Sequence, residues 1–204
     1  GLPELLGLTE RYIDVQKKIE SYIKTDAVLY GISREMVKPF MNGQGLFMSE
    51  RIEISHTMRE MQDDFSVLPY PKYDETQSDY YTLARNTYSS FVVPKTCQKQ
   101  EAVGAFMEAL ASQNYRTTSR TYFETALKVK YSHDDASSQM YDIIKNGLRF
   151  NFMFTYSAVA GNIANNFNGV IEQHNENWAS ESAKIEKTIN KSLEKFYEDV
   201  RSQE

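Results

Sequence analysis

Two of the three extended runs in this chain are cut short by proline. FSVL (65–68) meets Pro69 and Pro71, and YSSFVV (88–93) meets Pro94. Proline offers no backbone N–H to a ladder and fixes its own φ, so neither run can lengthen into a central strand. A third candidate, GLFM (45–48), is short from the outset. Three pieces of this size cannot make a self-sufficient sheet with both edges protected. The core must then come mainly from helices, or strands that complete the sheet lie outside this sequence. The second alternative is favoured here, and the expected class is α+β, predominantly helical.

Helical periodicity is legible in several places. Thr9 to Lys24 sets Tyr12, Val15, Ile19, Tyr22 and Ile23 at helical spacing, with Thr9 as the N-cap. A shorter helix from Ser33 should stop at Asn42-Gly43, although Pro39 lies inside it. Ser49 is placed to cap a helix running to about Gln62. Gln98 to Ser112 carries Val103, Phe106, Met107 and Leu110 on one face, and Ser119 to Lys130 carries Tyr122, Phe123, Ala126 and Leu127. Ser132 followed by His133, Asp134 and Asp135 suits a helix start, since acids favour the positive end. That helix should end at Asn146-Gly147. The last helix, about Ser180 to Val200, has Ile185, Ile189, Leu193, Phe196 and Val200 as its stripe.

Composition excludes some functions. The formal net charge is −5 and no basic stripe occurs, which argues against a general nucleic-acid binder. The single cysteine, Cys97, allows neither an intrachain disulfide nor a Cys-based zinc site. No cofactor or metal is expected. The acidic pairs Asp63/Asp64 and Asp134/Asp135 are the tempting carboxylates for an enzyme, but adjacent acids point in different directions along a chain. His56, His133 and His174 are isolated, and no nucleophile elbow, P-loop or dinucleotide glycine pattern is present. Catalysis is not expected. The unusual number is 14 tyrosines and 11 phenylalanines, which points either to aromatic packing or to a stacking surface for a ligand.

The order MNGQGLF (41–47), MREMQDDFSVLPYPKYDETQSDYYT (58–82), SSFVVPKT (89–96), AVGAFMEALAS (102–112) and TYFETALKVKYSHDDASSQMYDII (121–144) resembles the C-terminal half of family 1 extracellular solute-binding proteins. These are the ligand-capturing components of ABC importers, mostly for carbohydrates. Its most specific element, LPYPKYDETQSDYY, is similar to the clostridial-type members. The resemblance implies the C-terminal portion of a type II periplasmic-binding-protein fold, with α/β lobes around a ligand cleft. On that layout 1–80 and 134–204 belong to the second lobe. Residues 81–133 are a first-lobe remnant with hinge crossings near 81–88 and 131–136. It further implies an ABC permease as partner and an extracellular, lipoprotein-anchored whole protein. A member's N-terminal half would be absent here, and Gly1 reads as an addition ahead of the natural sequence. The helices left without their sheet would expose apolar faces and favour a homodimer or a repacked arrangement.

Sugar recognition needs flat rings against C–H faces and polar groups for hydroxyls. By that chemistry the candidate ligand residues are Tyr80 and Tyr81, just before the implied hinge, and Arg85 and Asn86, which follow them. Phe154 and Tyr156 join them, from a region where the resemblance implies a stacking ring. If the chain is extended there, Phe152, Phe154 and Tyr156 share one side, which is also the pattern of a core strand. Tyr70, Tyr73 and the prolines read as architecture, with Lys72 directed to solvent. The expected function is capture of a small solute, a carbohydrate, without chemistry. The alternative is a helical interaction module that binds no solute.

Overall fold

The computed structural model describes residues 9–31, 34–130, 135–159, 161–173, 175 and 177–202. It is mostly helical, with only two short parallel strands. Eight α-helices are α1 (Glu10–Ile23), α2 (Val37–Met41), α3 (Ser55–Met58), α4 (Gln100–Asn114), α5 (Asp135–Asn146), α6 (Phe152–Thr155), α7 (Ile163–Glu172) and α8 (Trp178–Arg201). The strands are β1 (Thr82–Leu83) and β2 (Leu148–Arg149), with Thr82 opposite Leu148 and Leu83 opposite Arg149. The chain divides into two compact units, 1–31 with 84–86 and 150–204, and 32–83 with 87–149. These units group residues by proximity, whereas the lobes implied by the resemblance follow the layout of a whole binding protein. The two partitions differ, and neither judges the other.

In the first unit α1, α7 and α8 touch one another around Trp178, Ile189, Leu193, Val170 and Ile171. The expected stripe of α8 holds at Ile189 and Leu193, while Val200 stays exposed. The helix begins two residues earlier than its charges suggest, because the Asn177 side chain accepts from the Ser180 amide at 3.3 Å and caps it. That start brings in Trp178, the largest fully buried side chain of the unit and one the apolar spacing had not flagged.

Helix α1 turns a different face inward from the one its spacing predicts. Tyr12 and Tyr22 are 42% and 56% exposed, whereas Gln16 and Glu20 are buried. Gln16 can be buried because both ends of its amide are paired. Its Nε2 donates to the Asn175 carbonyl at 2.8 Å, and its Oε1 accepts from the Trp178 amide at 3.3 Å. One side chain of α1 thus holds the α7–α8 connection and one of the orphan N–H groups at the start of α8. Glu20 lies 3.7 Å from Lys24 Nζ. Thr9 occupies the expected cap position, but its hydroxyl makes no capping bond.

The second unit buries Val37, Met58, Phe65, Leu127 and Tyr141. Helix α2 ends before Asn42-Gly43 as expected, with Gly43 at φ +73°, a conformation glycine adopts without cost. The helix expected from Ser49 to Gln62 shrinks to a 3-10 turn at Ile52–Ile54 and the short α3. The expected cap is engaged elsewhere, since Ser49 Oγ lies 2.5 Å from Tyr70 Oη. Ser132, expected to start α5, lies outside the described residues, as do Ser33, His133, Asp134 and His174.

None of the three expected strands forms. GLFM, FSVL and YSSFVV run without a ladder, and the two-residue strands that do form lie elsewhere. At FSVL the amide of Val67 is within 3.4 Å of Ser137 Oγ on α5, so a side chain meets the donor that a neighbouring strand would have taken. Phe65 is buried there and Leu68 is exposed. Helix α4 continues beyond Asn114 into wider π turns at Tyr115–Ser119 and Tyr122–Lys130, a widening that nothing in the sequence signals. Lys128 in this stretch reaches Asp142 of α5 at 2.6 Å and Glu124 at 3.0 Å. Its ammonium pKa is raised, first by the hydrogen bond to Asp142 and then by that to Glu124.

Candidate functional site

The sequence-predicted ligand residues fall in both units, and each group is described within its own. Tyr80 and Tyr81 lie in the second unit, on the approach to β1. Their rings are 37% and 47% exposed. The backbone that carries them is held by the short ladder, where the Thr82 amide donates to the Gly147 carbonyl at 2.9 Å. Gly147 is required at this contact. A Cβ there would sit 2.4 Å from the Tyr80 carbonyl oxygen and 3.0 Å from that of Ile143, both of them backbone atoms.

Each tyrosine already has a cation over one face. Lys72 Nζ lies 4.8 Å from the Tyr80 ring centroid, and Arg149 Cζ lies 5.3 Å from that of Tyr81. Such pairs gain from the ring quadrupole and hold the ring in one orientation. Lys72 does not point freely to solvent as expected: it is half-buried, and its ammonium also donates to the Ser78 carbonyl at 2.8 Å. Neither Lys72 nor Arg149 carried a sequence signal for this role, since the register that places Arg149 is set by the β1–β2 pairing.

The DETQ segment between the two pairs of tyrosines is the turn its composition suggests. Asp74 Oδ1 accepts from the Thr76 amide at 2.9 Å and from its hydroxyl at 2.5 Å, and the Tyr73 amide donates to Gln77 Oε1 at 3.2 Å. An Asp side chain that binds the backbone two residues on is a standard turn former. Tyr70, bonded to Ser49, serves the architecture as expected.

Arg85, Asn86, Phe154 and Tyr156 lie in the first unit. Arg85 is exposed. Asn86 Nδ2 donates to the Phe154 carbonyl at 3.3 Å, so this amide is tied to the backbone of α6. The alternation of 152, 154 and 156 does not operate, because Phe152–Thr155 is a helical turn capped by Asn151, whose Oδ1 accepts from the Phe154 amide at 3.0 Å. Helical spacing pairs Phe152 with Tyr156 instead, four residues apart, and leaves Phe154 off their face. Their centroids are 4.8 Å apart, and Phe196 of α8 lies 5.8 Å from Phe152 and 5.4 Å from Tyr156. Tyr156 is 45% exposed, whereas Phe154 is half-buried.

A concavity of about 590 Å³ in the first unit is lined by Thr9, Arg11, Tyr12, Val15 and Phe167. Tyr12 meets Phe167 edge to face at 6.2 Å, and Phe167 meets Trp178 in the same manner at 5.0 Å. Among the described residues no group of three or more His, Cys, Asp or Glu could hold a metal ion, and no helix is long and apolar enough to cross a membrane. Tyr30 is hydrogen-bonded to Glu172, and its phenol pKa is raised by burial first and then by that carboxylate.

Comparison of the chain with protein-family models, with curated proteins and with solved structures finds no match.

Proposed function

We propose that this chain takes part in solute capture for an ABC importer, outside the cell, with a carbohydrate as the solute and no chemical step. The observation that carries the reading is the tyrosine pair in LPYPKYDETQSDYY. Both residues are partly exposed, each with a cation over its ring, and an exposed aromatic ring suits a flat C–H surface. The resemblance of that segment to family 1 extracellular solute-binding proteins supports it. In the first unit Tyr156 supports it too, as a partly exposed ring steadied by Phe152 and Phe196. On the same reading the ligand residues are Tyr80, Tyr81, Arg85, Asn86, Phe154 and Tyr156, and the architecture belongs to the type II periplasmic-binding-protein class. Asn86 and Phe154 would act through backbone placement more than by direct contact, since the Asn86 amide is engaged with the Phe154 carbonyl.

The test is thermal unfolding against a panel of glycans. A true ligand stabilises the native state by RT ln(1 + [L]/Kd), about 2.7 kcal/mol at a hundredfold excess over Kd. The shift should be lost in Tyr81→Ala and Tyr156→Ala and kept in Tyr70→Phe. Absence of any shift across the panel would sink the carbohydrate reading.

The second reading, an interaction module, is favoured by one observation. Helix α4 has no fully buried residue, and Phe106 on it is 65% exposed.

A further inference from the structure

Asn-Gly occurs three times, at 42–43, 146–147 and 168–169. In such a pair the glycine amide nitrogen can attack the asparagine side-chain carbonyl, since glycine sets no side chain in its way. The nitrogen loses its proton and bonds to Cγ, the bond from Cγ to the side-chain nitrogen breaks, and ammonia leaves. A five-membered succinimide then joins the two residues. Water opens that ring at either carbonyl and leaves aspartate or isoaspartate. The reaction needs only neighbouring residues, so the sequence treats the three pairs alike. Folding separates them, because the glycine amide must leave its hydrogen bond before it can turn toward the side chain.

Two of the pairs are locked. The Gly147 amide donates to the Ile143 carbonyl at 2.8 Å and its carbonyl accepts from the Thr82 amide at 2.9 Å, in a buried residue packed against the Tyr80 backbone. Gly169 lies inside α7, and its carbonyl accepts from the Gln173 amide at 3.0 Å, so reaction at 168 requires a ten-residue helix to open in its interior. Asn42 is placed differently. It is the C-cap of the five-residue α2, and both it and Gly43 are exposed. Two bonds close this turn in the Schellman pattern, from the Gly43 amide to the Phe40 carbonyl at 2.9 Å and from the Gln44 amide to the Pro39 carbonyl at 3.1 Å. Among the described residues none holds the Asn42 side chain by a hydrogen bond. The nearest atom outside the turn to a Cβ built at Gly43 would be Asp63 Oδ2 at 3.9 Å, so the turn has room to open. Exposed bonds at a helix end are among the first that a fold gives up. We propose that Asn42 is the deamidation site of the folded chain, a modification that the fold confines to the end of α2. Isoaspartate there inserts one extra carbon into the backbone before Gly43, and the two closing bonds lose their register. This inference stands apart from the solute-capture reading and survives its failure.

The test is peptide mapping by mass spectrometry of the chain kept at mildly alkaline pH, once folded and once in urea. In the folded chain, conversion of asparagine to aspartate and isoaspartate should run about tenfold or more faster at 42 than at 146 or 168. One further hydrogen bond to break is worth about that factor in rate. In urea the three sites should convert at similar rates. Asn42→Gln should remove the conversion from this peptide of the folded chain and leave 146 and 168 as they were, because glutamine must close a larger ring. The idea is overturned by conversion at 146 or 168 that equals or outpaces 42 in the folded chain. It is overturned equally by a folded chain in which 42 does not convert.

Discussion

Gln16 shows how one polar residue can set the face a helix presents. A helix whose tyrosines and aliphatics share a stripe is expected to bury that stripe. Here the amide of Gln16 bonds Asn175 and Trp178 at once, and a glutamine with both ends satisfied is an acceptable core residue. Replacing it with leucine removes both bonds and leaves the Trp178 amide and the Asn175 carbonyl buried without Gln16. Gln16→Leu should therefore destabilise the fold by about 1–3 kcal/mol, read as a lower urea midpoint with an unchanged slope. An unaltered midpoint would mean that the clamp carries no stability. The clamp was illegible in the sequence because its partners lie more than 150 positions away. The lone tryptophan was legible as a core candidate only once its place at the head of α8 was known.

At the scale of elements, the β1–β2 ladder depends on the absence of a side chain at Gly147. A Cβ 2.4 Å from the Tyr80 carbonyl forces the backbone apart, and with it the bond from Thr82 to Gly147. Gly147→Ala should cost about 1–3 kcal/mol, in line with overpacking of a fixed contact. Gly104→Ala should do the opposite. It lies in α4 with nothing within 4 Å of a new Cβ, so the gain in helix propensity is about 0.5–1 kcal/mol. Thermal unfolding of the two variants beside the wild type checks both signs, and equal shifts would refute the contact at Gly147.

Lys128 ties the π-helical stretch to α5 through Asp142. Its pKa in the folded chain is raised above the ordinary 10.5. A raised cationic pKa means the folded state binds the proton more tightly, so this stabilisation is complete below about pH 10 and fades as pH climbs through the folded value. The carboxylates are partly exposed, so Lys128→Met should lose only about 1 kcal/mol at neutral pH. The gap between variant and wild type in urea unfolding should close at strongly alkaline pH. A gap independent of pH would assign the loss to packing of the side chain's stem instead of its charge.

At the scale of the whole molecule, helices were legible because their signals are local. Periodicity and the Asn-Gly stops located α1, α2, α4, α5 and α8 to within a few residues. The turn at DETQ was legible for the same reason, since Asp74 and Thr76 are two residues apart. Strands were not. FSVL and YSSFVV have the composition of strands, yet a strand exists only where a second strand pairs with it, and neither run is part of a ladder. The exposed side chains of Phe91 and Val92 and that of Phe106 on α4 are consequently questions of association, to be answered by the mass of the chain in solution.

The candidate site divides along the same line. The sequence by itself determined a mostly helical chain, broken where proline and Asn-Gly demand it, with its tyrosines concentrated before a turn and after it. These follow from the conformational limits of single residues and from spacing along one helix. Only the tertiary structure decided that Lys72 lies over the Tyr80 ring and that Arg149, brought from a distant part of the chain by the β1–β2 pairing, lies over that of Tyr81. It also decided that Tyr156 pairs with Phe152 and Phe196 while Phe154 does not, since a single helical turn at 152–155 replaces the extended chain in which all three would align. Contacts such as Arg149 with Tyr81 and Phe196 with Tyr156 join residues distant in the chain, and no local pattern encodes their approach.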